Sequence, residues 1–240
     1  MPIELPAMPE EQQEAWQAVF QIYDGMPHGW VLVGGQAVYL HAIERSAPYV
    51  RATTDADFAL DIRGYPTMLY DFTALLERIG FESDGESMEG HQHRWVRGKA
   101  KIDVLIPRHL GERAASRTGV TGGTTIAAPA TQQALDRAET VEVTAGPATG
   151  RVNRSSLLGS LIGKAAAMKI VGDEFRERHI TDFLTLAAVV TASDLRGQRY
   201  QPAEREHLAH MLGYLKNNPQ HAALLPEGAP GVERLRISLS

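Results

Sequence analysis

Apolar positions recur along this chain with two periods, and the places where one gives way to the other predict its elements. The run Val31-Leu32-Val33 is short enough for a buried strand and stops at Gly34-Gly35. Gln36 to Glu44 is amphipathic and reads as a helix. A loop containing Pro48 follows, then a second strand ending in Asp55-Ala56-Asp57-Phe58-Ala59-Leu60. Ahead of this stretch, Trp16, Val19, Phe20 and Tyr23 keep helical spacing within Pro9 to Tyr23 and are expected to pack on the first strand. After it, Met68, Leu69, Phe72, Leu75, Leu76 and Ile79 form a helical stripe closed by Gly80.

Strands are expected at Phe81 to Ser83, at His93 to Val96 and at Ala100 to Pro107. A short strand at Thr124 to Ile126 and a short helix from Ala130 to Ala138 come next. Val141 to Val143 and Gly150 to Val152 flank Ala145-Gly146-Pro147 as a hairpin. The pattern then turns helical. Ser155 or Ser156 caps a helix to about Val171, closed by Gly172. Further helices are expected over Arg178 to Thr191 and Ala203 to Asn217, and the proline- and glycine-containing tail beyond Pro219 reads as a short end piece. The expected organisation is a lobe over residues 1–152 and a helical lobe over 153–240.

The stretch around the two glycines carries the clearest chemistry. Glycines let the backbone turn sharply and approach a ligand closely. Unpaired amides at the start of the next helix favour a phosphate. Asp55 and Asp57, two apart on a strand, project to one side. Their mutual repulsion is relieved by a hard divalent cation such as Mg²⁺, which takes one or two carboxylates plus substrate phosphates. Each piece also has a plain reading, a simple turn for the glycines and a solvated strand edge for the aspartates.

Three more polar residues stand out against apolar surroundings. Asp103 points away from Ile102, Val104 and Ile106 on its strand and needs a metal or a partner, for which Lys101 and Arg94 are available. Lys164 sits among small and apolar neighbours, where it needs an anion or a route to solvent. Asp182 follows Arg178-His179-Ile180-Thr181, just ahead of an apolar run.

The order Gly34-Gly35, Arg51-x-Thr53-x-Asp55-x-Asp57, then Lys164 and Asp182, resembles the nucleotidyltransferase superfamily, and within it the AbiEii/AbiGii-type toxins, including the MenT-like toxins of toxin–antitoxin pairs. The likeness covers Val31 to Asp182. It departs from the pattern in having Gly-Gly for Gly-Ser at the turn, in lacking the arginine after Lys164, and in having His179 where the family often has an acid. It implies an α+β fold, a nucleotidyltransferase-like mixed sheet with flanking helices plus a C-terminal helical lobe. The implied activity transfers a nucleoside monophosphate from an NTP to an acceptor, with the tRNA 3′ end as the toxin family's acceptor and a cognate antitoxin as partner.

Under that resemblance Gly34 and Gly35 seat the triphosphate, and Asp55 and Asp57 hold two Mg²⁺ ions. Asp103 is the third carboxylate, as metal ligand or base. Lys164 neutralises the triphosphate, Asp182 orients Lys164 or the ribose, and Arg51 and Thr53 touch phosphate. Thr53, with Thr54 beside it, matches the hydroxyl that antitoxins phosphorylate in the MenT-like toxins.

Composition narrows the field further. A chain of 240 residues with 43% hydrophobic and 22% charged residues is an ordinary globular protein with room for a sizeable core. It has no cysteine, which excludes disulfides and thiolate metal sites. No apolar run is long enough to span a membrane, and the acidic start lacks a signal-peptide pattern, so the cytoplasm is expected. A net charge of −5 argues against general nucleic-acid binding. Arg94, Arg97, Lys99, Lys101, Arg108, Arg113 and Arg117 nevertheless concentrate positive charge, which reads either as an RNA-facing patch or as a solvated strand face. Glu82, Asp84, Glu86 and Glu89 leave open an acidic pocket for a cationic drug, as in aminoglycoside- or lincosamide-type nucleotidyltransferases. A non-catalytic binding module with the same fold is the remaining alternative.

Overall fold

A computed structural model of the chain describes residues 1–47, 55–170 and 176–239. Arg51, Thr53 and Thr54 lie outside them, so the expectations for those three positions have no structural counterpart.

The first part of the chain runs β1 (Ile3–Glu4), α1 (Glu10–Gly25), β2 (Trp30–Val33), α2 (Gly34–Glu44), β3 (Asp55–Leu60), α3 (Met68–Arg78), β4 (Glu82–Ser83), β5 (Arg94–Arg97) and β6 (Ala100–Pro107). Then come α4 (Glu112–Ala115), β7 (Ile126–Ala128), α5 (Thr131–Asp136), β8 (Ala138–Ala145) and β9 (Ala148–Ser155). The remainder is helical: α6 (Leu157–Ala167), α7 (Arg176–Val189), α8 (Ala192–Leu195), α9 (Pro202–Asn217), α10 (Pro219–Ala222) and α11 (Ala229–Leu239).

Among the described residues the strands form one mixed sheet in the order β1-β8-β9-β2-β3-β6-β5-β4, with β7 added beside β6. β2 lies antiparallel to β3 and parallel to β9, and β3 lies parallel to β6. The central strand β2 is apolar on both faces because both are covered: Trp30, Val31 and Leu32 are all buried. Trp30 and Leu32 join the larger core, where Trp16, Val19, Phe20 and Ile22 of α1 and Phe72 and Leu76 of α3 pack on the sheet. A second core gathers Leu161 and Ile162 of α6, Phe183 and Leu184 of α7, Leu208 and Met211 of α9, and Leu235 of α11, with Val38 of α2 reaching into it.

Helix α2 thus touches both cores, and polar ties fix it. His41 bonds through Nε2 to the Ser155 carbonyl at 2.9 Å. The buried Arg154 guanidinium pairs with Glu44 at the end of α2 and, at 2.9 Å, with Glu139 on β8. These contacts set the direction of α2 and therefore the place of its N-terminus beside β3.

Several elements differ from the sequence expectation. β7 begins two residues later than expected, while Thr124 makes a lone bridge to His91. The hairpin is longer at both ends, so Ala138, expected in a helix, opens β8. Strand β9 runs on through Asn153 to Ser155, and Ser156 caps α6 by accepting from the Gly159 amide. Helix α6 ends at Ala167, short of the expected Val171. The tail beyond Pro219 is no loose end: α10 and α11 form there, and Leu235 is fully buried. No helix among the described residues is long and apolar enough to cross a membrane.

Candidate active site

Strand β2 passes into α2 without an intervening loop. Val33 is still extended, and Gly34 turns the chain at φ +66° as the first residue of the helix. A Cβ at Gly34 would overlap the carboxylate of Asp57, so both backbone conformation and space demand glycine there. The helix start and the Asp57 carboxylate are brought against each other by this one residue.

Strand periodicity does the rest. Asp55 and Asp57 are half-exposed while Ala56 and Phe58 are buried, the alternation expected of one apolar and one chemical face. Register then extends a polar row across three strands. Asp57 pairs with Val33 on one side and Asp103 on the other, and Asp103 pairs in turn with Arg94. Partners in register point to the same face, so Asp57, Asp103 and Arg94 stand in line.

Asp103 is engaged by the Arg94 fork. Arg94 Nε donates to Asp103 Oδ1 and Nη2 to Oδ2, each at 2.8 Å. The same Nη2 lies 3.9 Å from Asp55 Oδ2. These hydrogen bonds hold the guanidinium more basic than an ordinary arginine. Of the two partners the sequence offered, Arg94 holds the carboxylate, which is 13% exposed. Lys101 is instead exposed, in register with Asp55.

The opposite wall comes from α6 and α7. Lys164 Nζ meets Asp182 Oδ2 at 2.7 Å, with the lysine side chain 10% and the aspartate 1% exposed. The lysine therefore has its anion in the fold itself, and Asp182 is positioned to orient it. Arg178 and His179, one turn earlier on α7, face the same space.

Between the walls lies a cleft of about 360 Å³. Gly34, Gly35, Asp55 and Asp57 line one side, and Lys164, Arg178, His179 and Asp182 the other. Leu105, Pro129, Ala134 and Ile170 supply apolar surface. Asp103 is not part of the lining; it stands beside Asp57 and turns to Arg94. The hydroxyl-bearing Thr131, Ser155 and Ser160 also line the cleft. Sequence spacing does not point to them as cleft residues, Ser155 reading only as a candidate helix cap, since only the folding of β9 and α6 onto α5 brings them together.

Among the described residues, no three His, Cys, Asp or Glu side chains are grouped to hold a metal ion. The donors fit a hard cation in a narrower way. Asp55 and Asp57 offer carboxylates on one face at the cleft edge, as suits Mg²⁺ whose shell is completed by water and substrate phosphates.

The basic segment is largely used within the fold. Arg94 is paired as above. The Arg97 guanidinium donates to the Ile79 carbonyl at 2.6 Å and lies 4.8 Å from the Phe81 ring centroid. Arg108 donates to the Ala127 carbonyl at 3.2 Å, and Arg117 to that of Ile62. Lys101 and Arg113 are exposed.

No family model matches the chain, and no curated protein does. Solved structures do resemble it, two of them as follows. The crystal structure of an antigenic nucleotidyltransferase-like protein from Paracoccidioides brasiliensis aligns over 93% of this chain and 95% of its own, with 17% identity and a TM-score of 0.53. The solution structure of the antibiotic-resistance factor ANT(2'')-Ia aligns over 90% of this chain and all of its own, with 15% identity and a TM-score of 0.46. The likeness to the Paracoccidioides protein is one of fold: the chain has a nucleotidyltransferase-like mixed sheet with flanking helices.

Proposed function

We propose that this protein is a Mg²⁺-dependent nucleotidyltransferase that moves a nucleoside monophosphate from an NTP to an acceptor hydroxyl. The observation that carries the reading is the cleft. A glycine turn, two same-face carboxylates and a buried lysine–aspartate pair, far apart in sequence, line one cavity in a nucleotidyltransferase-like fold.

In this reading Asp55 and Asp57 hold Mg²⁺, which when bound offsets the charge of the phosphates. The chain's own groups do the rest. Amides at the Gly34-Gly35 helix start bind the triphosphate, and the positive end of α2 favours its charge. Lys164, fixed by Asp182, presents a cation where negative charge accumulates on the departing pyrophosphate. Arg178 extends that cationic wall, with His179 beside it. The acceptor oxygen bonds to the α-phosphorus as the α–β anhydride breaks, so pyrophosphate and the acceptor's proton leave. The lobe over residues 1–152 supplies Asp55 and Asp57, and the lobe over 153–240 supplies Lys164 with its partner Asp182, and Arg178.

For the acceptor, the resemblance to AbiEii-type and MenT-like toxins favours tRNA and a role as the toxin of a toxin–antitoxin pair, opposed by an antitoxin. A small-molecule acceptor is the second reading. It is favoured by the use of Arg94, Arg97, Arg108 and Arg117 within the fold, which leaves less of the basic segment for RNA.

The test is label transfer. The protein is incubated with Mg²⁺ and each α-³²P-labelled NTP, with and without total tRNA, beside Asp55→Ala. Label on tRNA, absent with the variant and with tRNA binding that weakens linearly in log salt, supports the toxin reading. Nucleotide binding without transfer to tRNA shifts the acceptor to a small molecule. Absence of any Mg²⁺–NTP binding overturns the enzyme and leaves a binding module.

A further inference from the structure

Arg94 does more than close an ion pair. Its position follows from register alone: β5 pairs with β6 so that Arg94 faces Asp103, and β6 pairs with β3 so that Asp103 faces Asp57. Both oxygens of Asp103 accept from the fork, and the outer nitrogen of that fork is 3.9 Å from Asp55. A guanidinium stays protonated throughout the working pH range, and its planar fork matches a carboxylate in two parallel bonds.

Among the described residues, Asp55, Asp57 and Asp103 stand at this edge of the cleft with the Arg94 cation between Asp103 and Asp55. Two-metal chemistry needs carboxylates enough to hold ions about 3.5–4 Å apart. Mg²⁺ dehydrates reluctantly and holds its ligands at about 2.0–2.1 Å in near-octahedral geometry. To enlist Asp103, an ion would have to break the two-bond pair with Arg94 and sit against a permanent positive charge. The fork's approach to Asp55, at 3.9 Å, is longer than a hydrogen bond, whereas both oxygens of Asp103 are taken up at 2.8 Å.

We infer that Arg94 stands in for a second divalent cation: it holds Asp103, so the site takes a single ion, at Asp55 and Asp57, completed by the nucleotide. This rests on the nucleotidyltransferase reading and changes one part of it, the two-ion expectation with Asp103 as ligand. Arg94 is a positioning residue that sets the charge and the ion count of the site. It also leaves the segment expected to face RNA, because its charge is spent inside.

The experiment counts ions rather than turnover. The full chain is titrated with Mn²⁺ by electron paramagnetic resonance in the presence of an NTP analogue whose α–β bridge cannot be cleaved. Nucleotide binding is followed separately with a fluorescent NTP analogue, and folding by circular dichroism. The wild type is expected to bind one Mn²⁺ per chain. Arg94→Gln frees Asp103 and is expected to raise the count to two, and Arg94→Gln with Asp103→Asn returns it to one. A wild-type count of two with nucleotide bound overturns the inference and leaves the enzyme reading intact. So does a count that stays at one in a folded Arg94→Gln. Failure to bind any nucleotide sinks both. The wild-type count needs no variant, so misfolding of Arg94→Gln does not rescue the idea.

Discussion

Breaking the Lys164–Asp182 pair should cost more stability from the lysine side than from the aspartate side. At 2.7 Å the pair's attraction is about 6 kcal/mol at an effective dielectric of 20, a gross figure that the desolvation of both ions largely offsets. What a single substitution exposes is the offset without the attraction, a loss of about 3–5 kcal/mol for a buried pair. The two halves are unequally buried. With Asp182→Ala the lysine keeps 10% exposure to the cleft and can draw water, so a loss of about 3 kcal/mol is expected. With Lys164→Ala the aspartate is left at 1% exposure, so the loss should approach about 5 kcal/mol, a large share of a typical domain's stability. Replacing both, as Lys164→Met with Asp182→Leu, removes the charges together and should return most of the loss. Equilibrium unfolding in urea reads this directly, as a fall in the midpoint at constant slope. The argument fails if Lys164→Ala costs less than about 1 kcal/mol, or if the double variant is as unstable as the worse single one. The outcome matters for enzymology too. Inactivity of Lys164→Ala says nothing about phosphate binding until the variant is shown to be folded under assay conditions.

Gly34→Ala forces an L-residue to φ +66°, a strain of about 1–2 kcal/mol, and drives a methyl into the Asp57 carboxylate. A urea midpoint lowered accordingly and Mn²⁺ affinity reduced by roughly tenfold or more are expected, since about 1.4 kcal/mol of lost alignment is a factor of ten. Wild-type Mn²⁺ affinity in that variant would refute the close approach. His41 should make the fold acid-sensitive. Burial, and then the charge of Arg154, lower its pKa from 6.5 to about 3, so the folded chain resists a proton that the unfolded chain accepts. Its contribution is full above pH 6.5 and is lost as pH falls toward 3, at up to about 1.4 kcal/mol per pH unit. Urea midpoints between pH 7 and 4 measure this. His41→Gln should flatten the slope, and an unchanged slope in that variant would assign the acid sensitivity to other groups.

The chemical face of β3 was legible because a strand's period is fixed at two. Once Asp55 to Leu60 is read as a strand, Asp55 and Asp57 must share a side, and the buried Ala56 and Phe58 show that they do. The helix after the glycines was legible from its amphipathic stretch, but it starts at Gly34 itself and not at the expected Gln36, because the glycine turns the chain as the helix's first residue. The partner of Asp103 was not legible. Lys101 is two residues away on the same strand and shares its face, whereas Arg94 reaches it only through the β5–β6 register. Sequence spacing could name both and choose neither. Register is a tertiary quantity, and a one-residue slip would have turned Arg94 to the other side of the sheet.

The C-terminal tail shows the opposite failure, in which a correct local rule gives the wrong element. Pro226, Gly228, Pro230 and Gly231 read as breakers, and in isolation they would be. Here Pro226 opens a single 3₁₀ turn and Pro230 falls in the first turn of α11, where a proline gives up no helical hydrogen bond. The glycines serve packing. A Cβ at Gly231 would overlap the Ala187 carbonyl of α7, and one at Gly228 would press on the Leu184 carbonyl. Both are places where α11 and the turn before it lie directly on the backbone of α7, the helix that carries Asp182. The residues that look like a loop are therefore those that let the last helix lie close behind the Lys164–Asp182 pair. Their small size has meaning only once α7 is in place, which is why no window of the sequence around them could have revealed it.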